Sequence, residues 1–287
     1  MKRAMTAALL GVVSWPVSLL MSLLGAWLLY LVLNWAIFQA VFRPDAQACQ
    51  AIGHAGACWG VVVEKARPIL LGLDPADHLG GLSLTLLLAV GSWVASWPLA
   101  LALAHGRRSH RMWLSALCRT WIECVRGVPL IALLFLAAYL LPAVLPPDWQ
   151  MPLAWRAGMA LTLFSAAYLS EIIRSGLQSV PAEQIEAAEV LGLGFWGTQW
   201  RVVWPQALRA VLPALVSHAI GLLKDTSLVM VIGLHELTGG LSLGLGGDPV
   251  WRPFYLEAYL FVAAVYACLC LGLAWVGRRL EANWQRG

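Results

Sequence analysis

Charged residues are scarce in this chain. Asp, Glu, Lys and Arg make up 12% of its 287 residues, whereas hydrophobic residues make up 60%. A soluble domain carries roughly 25% charged residues. The apolar residues fall in long continuous runs and do not alternate with polar ones, which excludes a β-barrel. The composition therefore predicts an all-α polytopic membrane protein.

Lysine is rarer still, occurring only at Lys2, Lys65 and Lys224. No GxxxxGK[ST] motif is present, and the glycine-rich run at 239–247 has no lysine, so the chain has no phosphate-binding loop. If ATP drives this protein, another subunit must hydrolyse it. The net charge of +4 does not indicate a nucleic-acid partner, because the bases cluster beside apolar runs as an orientation signal does.

Catalytic motifs are also missing. Neither a paired Ser-His arrangement nor a His-Glu-x-x-His motif occurs in the sequence. His54 is the only imidazole near Cys49 and Cys58, so no metal site is expected there. We therefore expect no catalytic residue, no metal and no cofactor in this chain.

Six apolar runs are long enough to cross the hydrocarbon core of a membrane. The predicted spans are Val17–Phe38, Leu79–Ala104, Trp113–Leu141, Trp155–Leu177, Val211–Leu234 and Phe254–Val276. The first is interpreted as an uncleaved signal anchor, because its apolar character continues past the length of a signal peptide. The third contains Gly127 and Pro129, so we expect it to bend or to begin as an interfacial helix.

The basic residues predict the orientation. With six spans, one side of the membrane receives Lys2, Arg3, Arg107, Arg108, Arg111, Arg201, Arg209, Arg278, Arg279 and Arg286. The opposite loops contain Asp45, Asp74, Asp77, Asp148 and Asp248. The positive-inside rule then places both termini in the cytoplasm. We expect a signal-anchor helix with a periplasmic loop in residues 1–78 and a membrane core in residues 79–287.

A polar segment at 186–208 interrupts the apolar runs on the predicted cytoplasmic side. A helix start is favoured just before it by a capping candidate, a proline and an acid at Ser179, Pro181 and Glu183. Gly192 and Gly194 should end this helix, and a second helix should run from Phe195 towards Pro205. From this pattern alone, the segment could dock a partner, rest on the bilayer or pack on its own domain.

This segment resembles the EAA loop of bacterial ABC-importer permeases, whose pattern is EAA, three residues, Gly, nine residues and Ile-x-Leu-Pro. The matching positions are Glu186, Ala187, Ala188, Gly192 and Pro205. Val202 replaces the Ile, and Trp204 stands where the family has Leu. The resemblance implies that Glu183 and the matching positions belong to a coupling helix that docks on an ATPase subunit.

The resemblance extends over most of the chain from Gly81 onwards. It is carried by RGVPLI at 126–131, YLSEIIRSGLQSVP at 168–181 and LLKDTSLVMVIG at 222–233. These stretches are similar to the polar amino-acid (histidine/glutamine-type) branch. GLSLTLLLAV at 81–90 and RGVPLIALLF at 126–135 are most similar to the M-type permease of general L-amino-acid importers. The resemblance implies a type I permease fold, a multi-pass location in the bacterial inner membrane, and transport of amino acids.

The resemblance also implies partners. They are two ABC ATPase subunits that hold ATP and Mg²⁺, a sister permease that completes a heterodimer, a periplasmic amino-acid-binding protein, and membrane lipid. A self-contained secondary transporter or channel for small polar solutes is the alternative, although no internal repeat supports it. A requirement for ATP or for an ion gradient would separate the two.

Ionisable residues inside spans usually face a cavity or a partner. Two pairs at i,i+3 spacing are expected to be structural ion pairs: Glu123 with Arg126, and Glu171 with Arg174. The fifth span holds a polar run at Lys224, Asp225, Thr226 and Ser227. A zwitterionic amino acid needs a donor and an acceptor, so this run is predicted to line the substrate pathway. A network that holds the permease dimer is the competing interpretation.

The remaining candidate site residues are a histidine and two cysteines. His218 is expected to be a hydrogen-bonded core residue. Cys49 and Cys58 flank a short loop on the predicted outer side, where either a disulfide or two free thiols would fit.

Overall fold

A computed structural model describes residues 2–53, 55–72 and 80–286. The chain there is helical, with α1 at Lys2–Leu33, α2 at Ala46–Ile52, α3 at Gly60–Leu71, α4 at Gly81–Arg107, α5 at Met112–Gly127, α6 at Leu130–Phe135, α7 at Leu141–Val144, α8 at Leu153–Ser179, α9 at Ala182–Val190, α10 at Phe195–Thr198, α11 at Trp204–Asp225, α12 at Leu237–Gly246 and α13 at Tyr255–Arg286. His54, Asp74, Asp77 and Leu79, which the sequence analysis named, lie outside the described residues.

Several of these helices are joined by turns of other pitch. Single π-helical turns occupy Asn34–Phe38, Leu136–Leu140 and Gln199–Val203, and 3₁₀ turns occupy Pro147–Trp149, Thr226–Ile232 and Arg252–Phe254. Such π turns interrupt α-helices at single positions and are frequent at functional sites. The turn at Gln199–Val203 lies inside the segment that resembles the EAA loop.

Within the described residues, four helices are long and apolar enough to cross a membrane: Val17–Phe38, Gly81–Arg107, Phe195–Ile232 and Arg252–Trp284. A fifth span results if the pair Met112–Gly127 and Leu130–Val144, bent by 97°, is counted as one. The predicted bend at Gly127 and Pro129 is thus confirmed. The predicted span at Trp155–Leu177 lies within α8 but falls outside this group, because α8 carries Arg156, Glu171 and Arg174.

The chain divides into two units, of which one comprises Met1–Ala66 and Asp248–Ala258. In this unit, Asp45 caps α2 by accepting the backbone N–H groups of Gln47 and Ala48. A disulfide joins Cys49 to Cys58, with their Cα atoms 5.4 Å apart. The backbone N–H of Cys58 donates to the carboxylate of Glu257 at 2.9 Å. This hydrogen bond connects the disulfide loop to the Asp248–Ala258 part of the same unit.

An ion pair lies at the surface of the same unit. Lys65 Nζ is 2.6 Å from Asp248 Oδ2. The hydrogen bond from this ammonium holds the pKa of Asp248 below its ordinary value. Asp248 therefore favours the folded unit most at pH values where the unfolded carboxyl is already ionised, and this contribution falls as the carboxyl is protonated in acid.

The other unit comprises Arg67–Gly247 and Tyr259–Gly287. Its core is built on the packing of α4 against α8 through small residues, among them Ser92, Ser96 and Ala157. Ser92 Oγ donates to the carbonyl of Gly158 at 3.2 Å. Small side chains let the two backbones approach closely, as in many helix pairs within membranes.

Two apolar clusters extend this contact. One contains Leu84, Leu88, Leu130, Leu134, Ala138, Ala157, Ala160, Leu161, Leu222, Val229 and Ile232. The other contains Ala100, Ala104, Ala166, Leu169, Ile173, Leu177, Val180, Val203, Ala207, Val211 and Leu215. The second cluster reaches Val203, so the segment that follows α9 is anchored in the core of this unit.

Candidate functional site

Residues 181–205 contain the positions that resemble the EAA loop, and this stretch is called the coupling segment after that resemblance. It begins at a proline. Pro181 precedes the first residue of α9, and Glu183 lies in its first turn, where a carboxylate interacts favourably with the helix dipole. The predicted cap at Ser179 is wrong, because Ser179 is the last residue of α8. Its hydroxyl donates to the carbonyl of Gly176 at 2.8 Å, and so it does not cap α9.

The end of α9 is fixed by Gly192. Its φ of +79° lies in the left-handed region, where glycine carries no Cβ penalty. The N–H of Leu193 donates to the carbonyl of Ala188 at 3.0 Å, and that of Gly192 donates to Glu189 at 2.9 Å. This pair of bonds is a Schellman motif, which satisfies the last carbonyls of the helix and reverses the chain. The predicted helix end at this glycine is confirmed.

The second half of the segment differs from the prediction. The helix that starts at Phe195 does not stop at Pro205. It passes through the π turn at Gln199–Val203 into α11, giving a continuous element at Phe195–Ile232. Pro205 follows the π turn directly. Proline has no backbone N–H, so it removes one hydrogen bond from this continuous element, next to the π turn that already interrupts the α-helical ladder.

The motif residues of α9 divide between two faces. Ala188 is buried, at 4% exposure. Glu183, Glu186 and Ala187 are exposed, as are Gly192 and Pro205. The small buried alanine lets α9 approach its own unit, while the acidic side chains remain free of it. The carboxylate of Glu186 is thus available to an external partner.

Large apolar side chains of the coupling segment point away from the unit. They are Val190 (87% exposed), Leu191 (82%), Phe195 (68%), Trp196 (71%) and Trp200 (65%). The cost of exposing such side chains to water is about 1.5–3 kcal/mol each. An exposed apolar group of this kind is typical of a site that a protein partner or the membrane covers.

Trp204 seats the segment on the core. Its ring stacks on Trp200, with centroids 6.2 Å apart, and lies 6.1 Å from the ring of His105 on α4. Trp204 also packs against the apolar cluster that contains Val203 and Ala207. The residue that departs from the family pattern therefore joins the exposed aromatic side chains to α4 and α11.

The polar run at 224–227 lies where α11 ends at Asp225 and a 3₁₀ turn begins. Thr226 is fully buried, and its hydroxyl donates to the carbonyl of Leu223 at 2.7 Å. Ser227 Oγ donates in the same way to the carbonyl of Lys224 at 2.7 Å. Both hydroxyl protons are thus used locally. Lys224 is exposed.

A pocket of about 310 Å³ adjoins this run. It is lined by Lys224, Ser227, Thr238, Tyr259, Val262, Ala263 and Tyr266. Asp225 and Thr226 are absent from this lining within the described residues. The pocket combines one ammonium with hydroxyl groups and an apolar wall, which suits a ligand that carries a carboxylate.

Tyr266, which lines the pocket, donates to Glu236, a buried carboxylate that the sequence alone did not indicate as a site. Glu236 is 0% exposed. Its Oε1 accepts the N–H groups of Thr238 and Gly239 at 2.9 Å each, and its Oε2 accepts the hydroxyl of Tyr266 at 2.8 Å. Glu236 caps α12 and ties it to α13. In the sequence, its position directly before the first residue of α12 is the feature that could have indicated a helix cap.

One of the two predicted ion pairs is present. Arg174 Nη2 is 2.8 Å from Glu171 Oε2. In place of the predicted Glu123–Arg126 pair, Glu123 pairs with Arg119 at 2.8 Å. Arg126 instead lies over the ring of Tyr168, 4.9 Å from its centroid. Glu123 therefore pairs at i,i+4 spacing, and Arg126 makes a cation–π contact with a ring on α8, so the predicted i,i+3 pair does not form.

Glu171 has a second partner that local spacing did not reveal. Arg107, at the end of α4, donates to the other carboxylate oxygen of Glu171. The two residues are 64 positions apart, so only the packing of α4 on α8 brings them together. His218 is a core residue as expected, with Nε2 2.9 Å from Ser165 Oγ. Among the described residues, no cluster of His, Cys, Asp and Glu is arranged to hold a metal ion.

Comparison with known proteins assigns the sequence to a family. The model of the family described as "Binding-protein-dependent transport system inner membrane component" matches residues 82–286. The permease protein BztC of the glutamate/glutamine/aspartate/asparagine transport system of Rhodobacter capsulatus is 40% identical over 81% of this chain. The match covers 54% of BztC, so the chain spans about half the length of that relative.

Other relatives are matched over more of their length. The inner membrane amino-acid ABC transporter permease protein YhdY of Escherichia coli is 32% identical over 89% of this chain and 85% of its own. The probable glutamine ABC transporter permease protein GlnP of Bacillus subtilis is 35% identical over 74% of this chain and 98% of its own.

Solved structures share the fold. A chain from the crystal structure of an amino acid ABC transporter with histidines superimposes with a TM-score of 0.66 and 28% identity, covering 78% of this chain and 97% of that one. A chain of the MetNI methionine ABC transporter, facing inward, gives a TM-score of 0.58 at 18% identity over 74% and 99%, a likeness of fold alone. The predicted all-α permease fold is confirmed. The chain belongs to the family of inner membrane components of binding-protein-dependent transport systems.

Proposed function

We propose that this chain is the permease subunit of an ATP-driven importer of amino acids. It forms the translocation pathway together with a sister permease, and it is moved by ABC ATPase subunits that bind ATP and Mg²⁺. A periplasmic amino-acid-binding protein delivers the substrate. The names of the relatives and the membership of the family support this proposal, as does the absence of a phosphate-binding loop in the sequence.

The observation that carries the proposal is the surface of the coupling segment. Its acidic and apolar side chains point away from the unit, while Ala188 and Trp204 hold it to the core. A partner that covers Leu191, Phe195 and Trp196 would remove their apolar surface from water and so gain free energy. Movement of that partner would then reach α11 directly, since the part of the segment from Phe195 onward is continuous with α11.

The orientation follows from the same proposal. The coupling segment and the basic loops face the cytoplasm, which places both termini inside, and the loop that holds Cys49 and Cys58 faces the periplasm, where disulfides persist. Residues 1–78 then provide an anchor and an outer loop, and residues 79–287 provide the permease core.

The substrate pathway is proposed to pass the pocket at the end of α11. Lys224 offers a donor for a substrate carboxylate, and Ser227 and Asp225 lie within one turn of it. Asp225 would accept from the substrate ammonium when the surrounding helices move, and Thr226 fixes the turn that presents both charges. Asp225→Asn is expected to lower uptake while leaving the ATPase bound; loss of assembly would indicate a structural role.

The test is a charge reversal at the coupling segment. Glu186→Lys should abolish ATP-dependent uptake in proteoliposomes while the chain remains folded, because a cation replaces the carboxylate that faces the ATPase. Glu189→Lys is the matched control, since Glu189 is exposed on the same helix but lies outside the motif. Normal uptake by Glu186→Lys would contradict the coupling role.

A first experiment decides the class of transporter. The wild-type chain is purified from native membranes in mild detergent, and the proteins that accompany it are identified by mass spectrometry. An ABC ATPase and a sister permease are expected. Recovery of the chain alone, with uptake driven by an ion gradient and unaffected by ATP, would overturn the proposal in favour of a secondary transporter.

A further inference from the structure

Three side chains form a charged cluster at one end of the permease core. The carboxylate of Glu171 accepts from Arg174 Nε at 3.1 Å and from Arg174 Nη2 at 2.8 Å. Its other oxygen accepts from Arg107 Nη1. Glu171 therefore uses both oxygens, and it binds one guanidinium from its own helix and one from α4.

The cluster joins three helices. Arg107 is the last residue of α4, and its carbonyl accepts the hydroxyl of Ser115 on α5 at 2.8 Å. Arg174 also donates to Gln178 Oε1 at 2.7 Å. Gln178 is followed by Ser179, the end of α8, and then by Pro181 and the coupling segment. Glu171 thus lies about two turns of α8 before that segment.

The side chains of this cluster are less exposed to water than those of a surface ion pair. The side chains of Arg107, Glu171 and Arg174 are 21%, 18% and 25% exposed. The Arg119–Glu123 pair, by contrast, is 66% and 54% exposed. Exposed pairs contribute little, whereas removal of one partner from a shielded pair leaves the other charge uncompensated. Without Glu171, two guanidinium groups would face each other with no carboxylate between them.

Elsewhere, α4 and α8 meet through neutral groups. Ser92 Oγ donates to the carbonyl of Gly158 at 3.2 Å, and Ser165 Oγ donates to Ser96 Oγ at 3.0 Å. Among the described residues, Arg107 and Glu171 form the one ion pair between the two helices. The guanidinium–carboxylate bond is directional, so it fixes the position of α4 along α8 at the end nearest the coupling segment.

We propose that Glu171 is a positioning residue, and that its bonds to Arg107 and Arg174 make α4 follow α8 when the coupling segment moves. The proposal rests on the transport function proposed above and specifies how movement of the coupling segment is passed to α4. When the link is lost, α8 moves with the ATPase while α4 lags, so ATP is hydrolysed without a matching opening of the pathway.

The experiment measures transported amino acid per ATP hydrolysed in proteoliposomes that contain the complete transporter and its binding protein. Glu171→Gln and Arg107→Gln are expected to lower this ratio by about fivefold or more, the lower end of typical coupling between sites. Arg107→Lys keeps one donor and the charge, and it should retain most of the ratio. Arg119→Gln, which breaks the exposed pair on α5, is the matched control and should leave the ratio unchanged.

Two further readouts separate this role from others. Co-purification of the ATPase and the melting temperature of the assembled transporter are measured for every variant. A lower ratio in Arg107→Gln with both readouts at the wild-type level supports the positioning role even if Glu171→Gln assembles poorly. An unchanged ratio in an assembled Arg107→Gln transporter overturns it. A wild-type chain that binds no ATPase contradicts the proposed function itself.

Discussion

Gly192 and Gly194 both follow α9, but their backbones differ. Gly192 has a φ of +79°, whereas Gly194 has a φ of −68°. A Cβ added at either position would meet no atom within 4 Å. Space is therefore equal at the two sites, and backbone conformation alone separates them.

Gly192→Ala is expected to destabilise the end of α9 by about 1 kcal/mol or slightly more, because an L-residue in the left-handed region crowds its own carbonyl. Gly194→Ala, with the same added methyl group, should have little effect. Hydrogen exchange of the amides at 187–193 measures the difference. Equal protection in the two variants would show that the Schellman turn does not limit this helix end.

Some residue-level features can be predicted from sequence, and others depend on packing. The helix end at Gly192 and the Glu171–Arg174 pair follow from local spacing, so the pattern predicts both. The Arg107–Glu171 bond joins residues 64 positions apart, and the capping role of Glu236 includes a bond from Tyr266 of another helix. Neither contact leaves a periodic trace in the sequence.

At the scale of helices, α8 approaches α11 very closely at Gly176. A Cβ on Gly176 of α8 would lie 2.8 Å from Val211 Cγ1 and 2.9 Å from the carbonyl oxygen of Ala207. A Cβ on Gly158 of the same helix would meet only Leu88 Cδ2, at 3.8 Å. The two glycines thus test close packing and helix propensity separately.

Gly176→Ala is expected to destabilise the permease core by about 1–3 kcal/mol, because the methyl group forces α11 away from α8. Gly158→Ala should be neutral or stabilising, since alanine is the better helix former. The melting temperature of each purified variant checks this. If Gly176→Ala matched the wild type, α8 and α11 would have to be free to separate at this level.

The boundaries of a helix could be predicted where a long run of apolar residues defines them. The span at Val17–Phe38 agrees with the prediction, because a long apolar run has no other suitable environment. The predicted helix from Phe195 towards Pro205 continues further, because the π turn at Gln199–Val203 accommodates the proline within one element. The charges of α8 are satisfied by Arg107 and by the carbonyl of Ala138, which composition alone does not show.

At the scale of the whole molecule, the chain holds two units with different means of stabilisation. The unit at Arg67–Gly247 and Tyr259–Gly287 relies on helix packing through small and aliphatic residues. The unit at Met1–Ala66 and Asp248–Ala258 contains the disulfide Cys49–Cys58, with both cysteines buried at 1% exposure. Loss of the disulfide should therefore act on one unit and spare the other.

The double variant Cys49→Ser with Cys58→Ser is expected to destabilise the disulfide unit by about 2–4 kcal/mol, the typical range for a removed disulfide. Limited proteolysis should then cut within 39–60 at protease concentrations that leave the wild type intact, while fragments of the permease core survive. Cys124→Ser is the control, because Cys124 is a free and exposed thiol. Equal proteolysis of all three proteins would argue that the disulfide adds no stability.

Because Phe195–Ile232 is one continuous helical element, its number of residues is constrained. Each residue of an α-helix advances about 1.5 Å and turns by about 100°, so the exposed aromatic side chains at one end and Lys224 at the other keep a fixed angular register. One residue inserted within α11 would rotate one end relative to the other and point Lys224 at a different neighbour. An insertion therefore conflicts with the helix unless another π turn absorbs it, while substitutions on its surface leave the register intact.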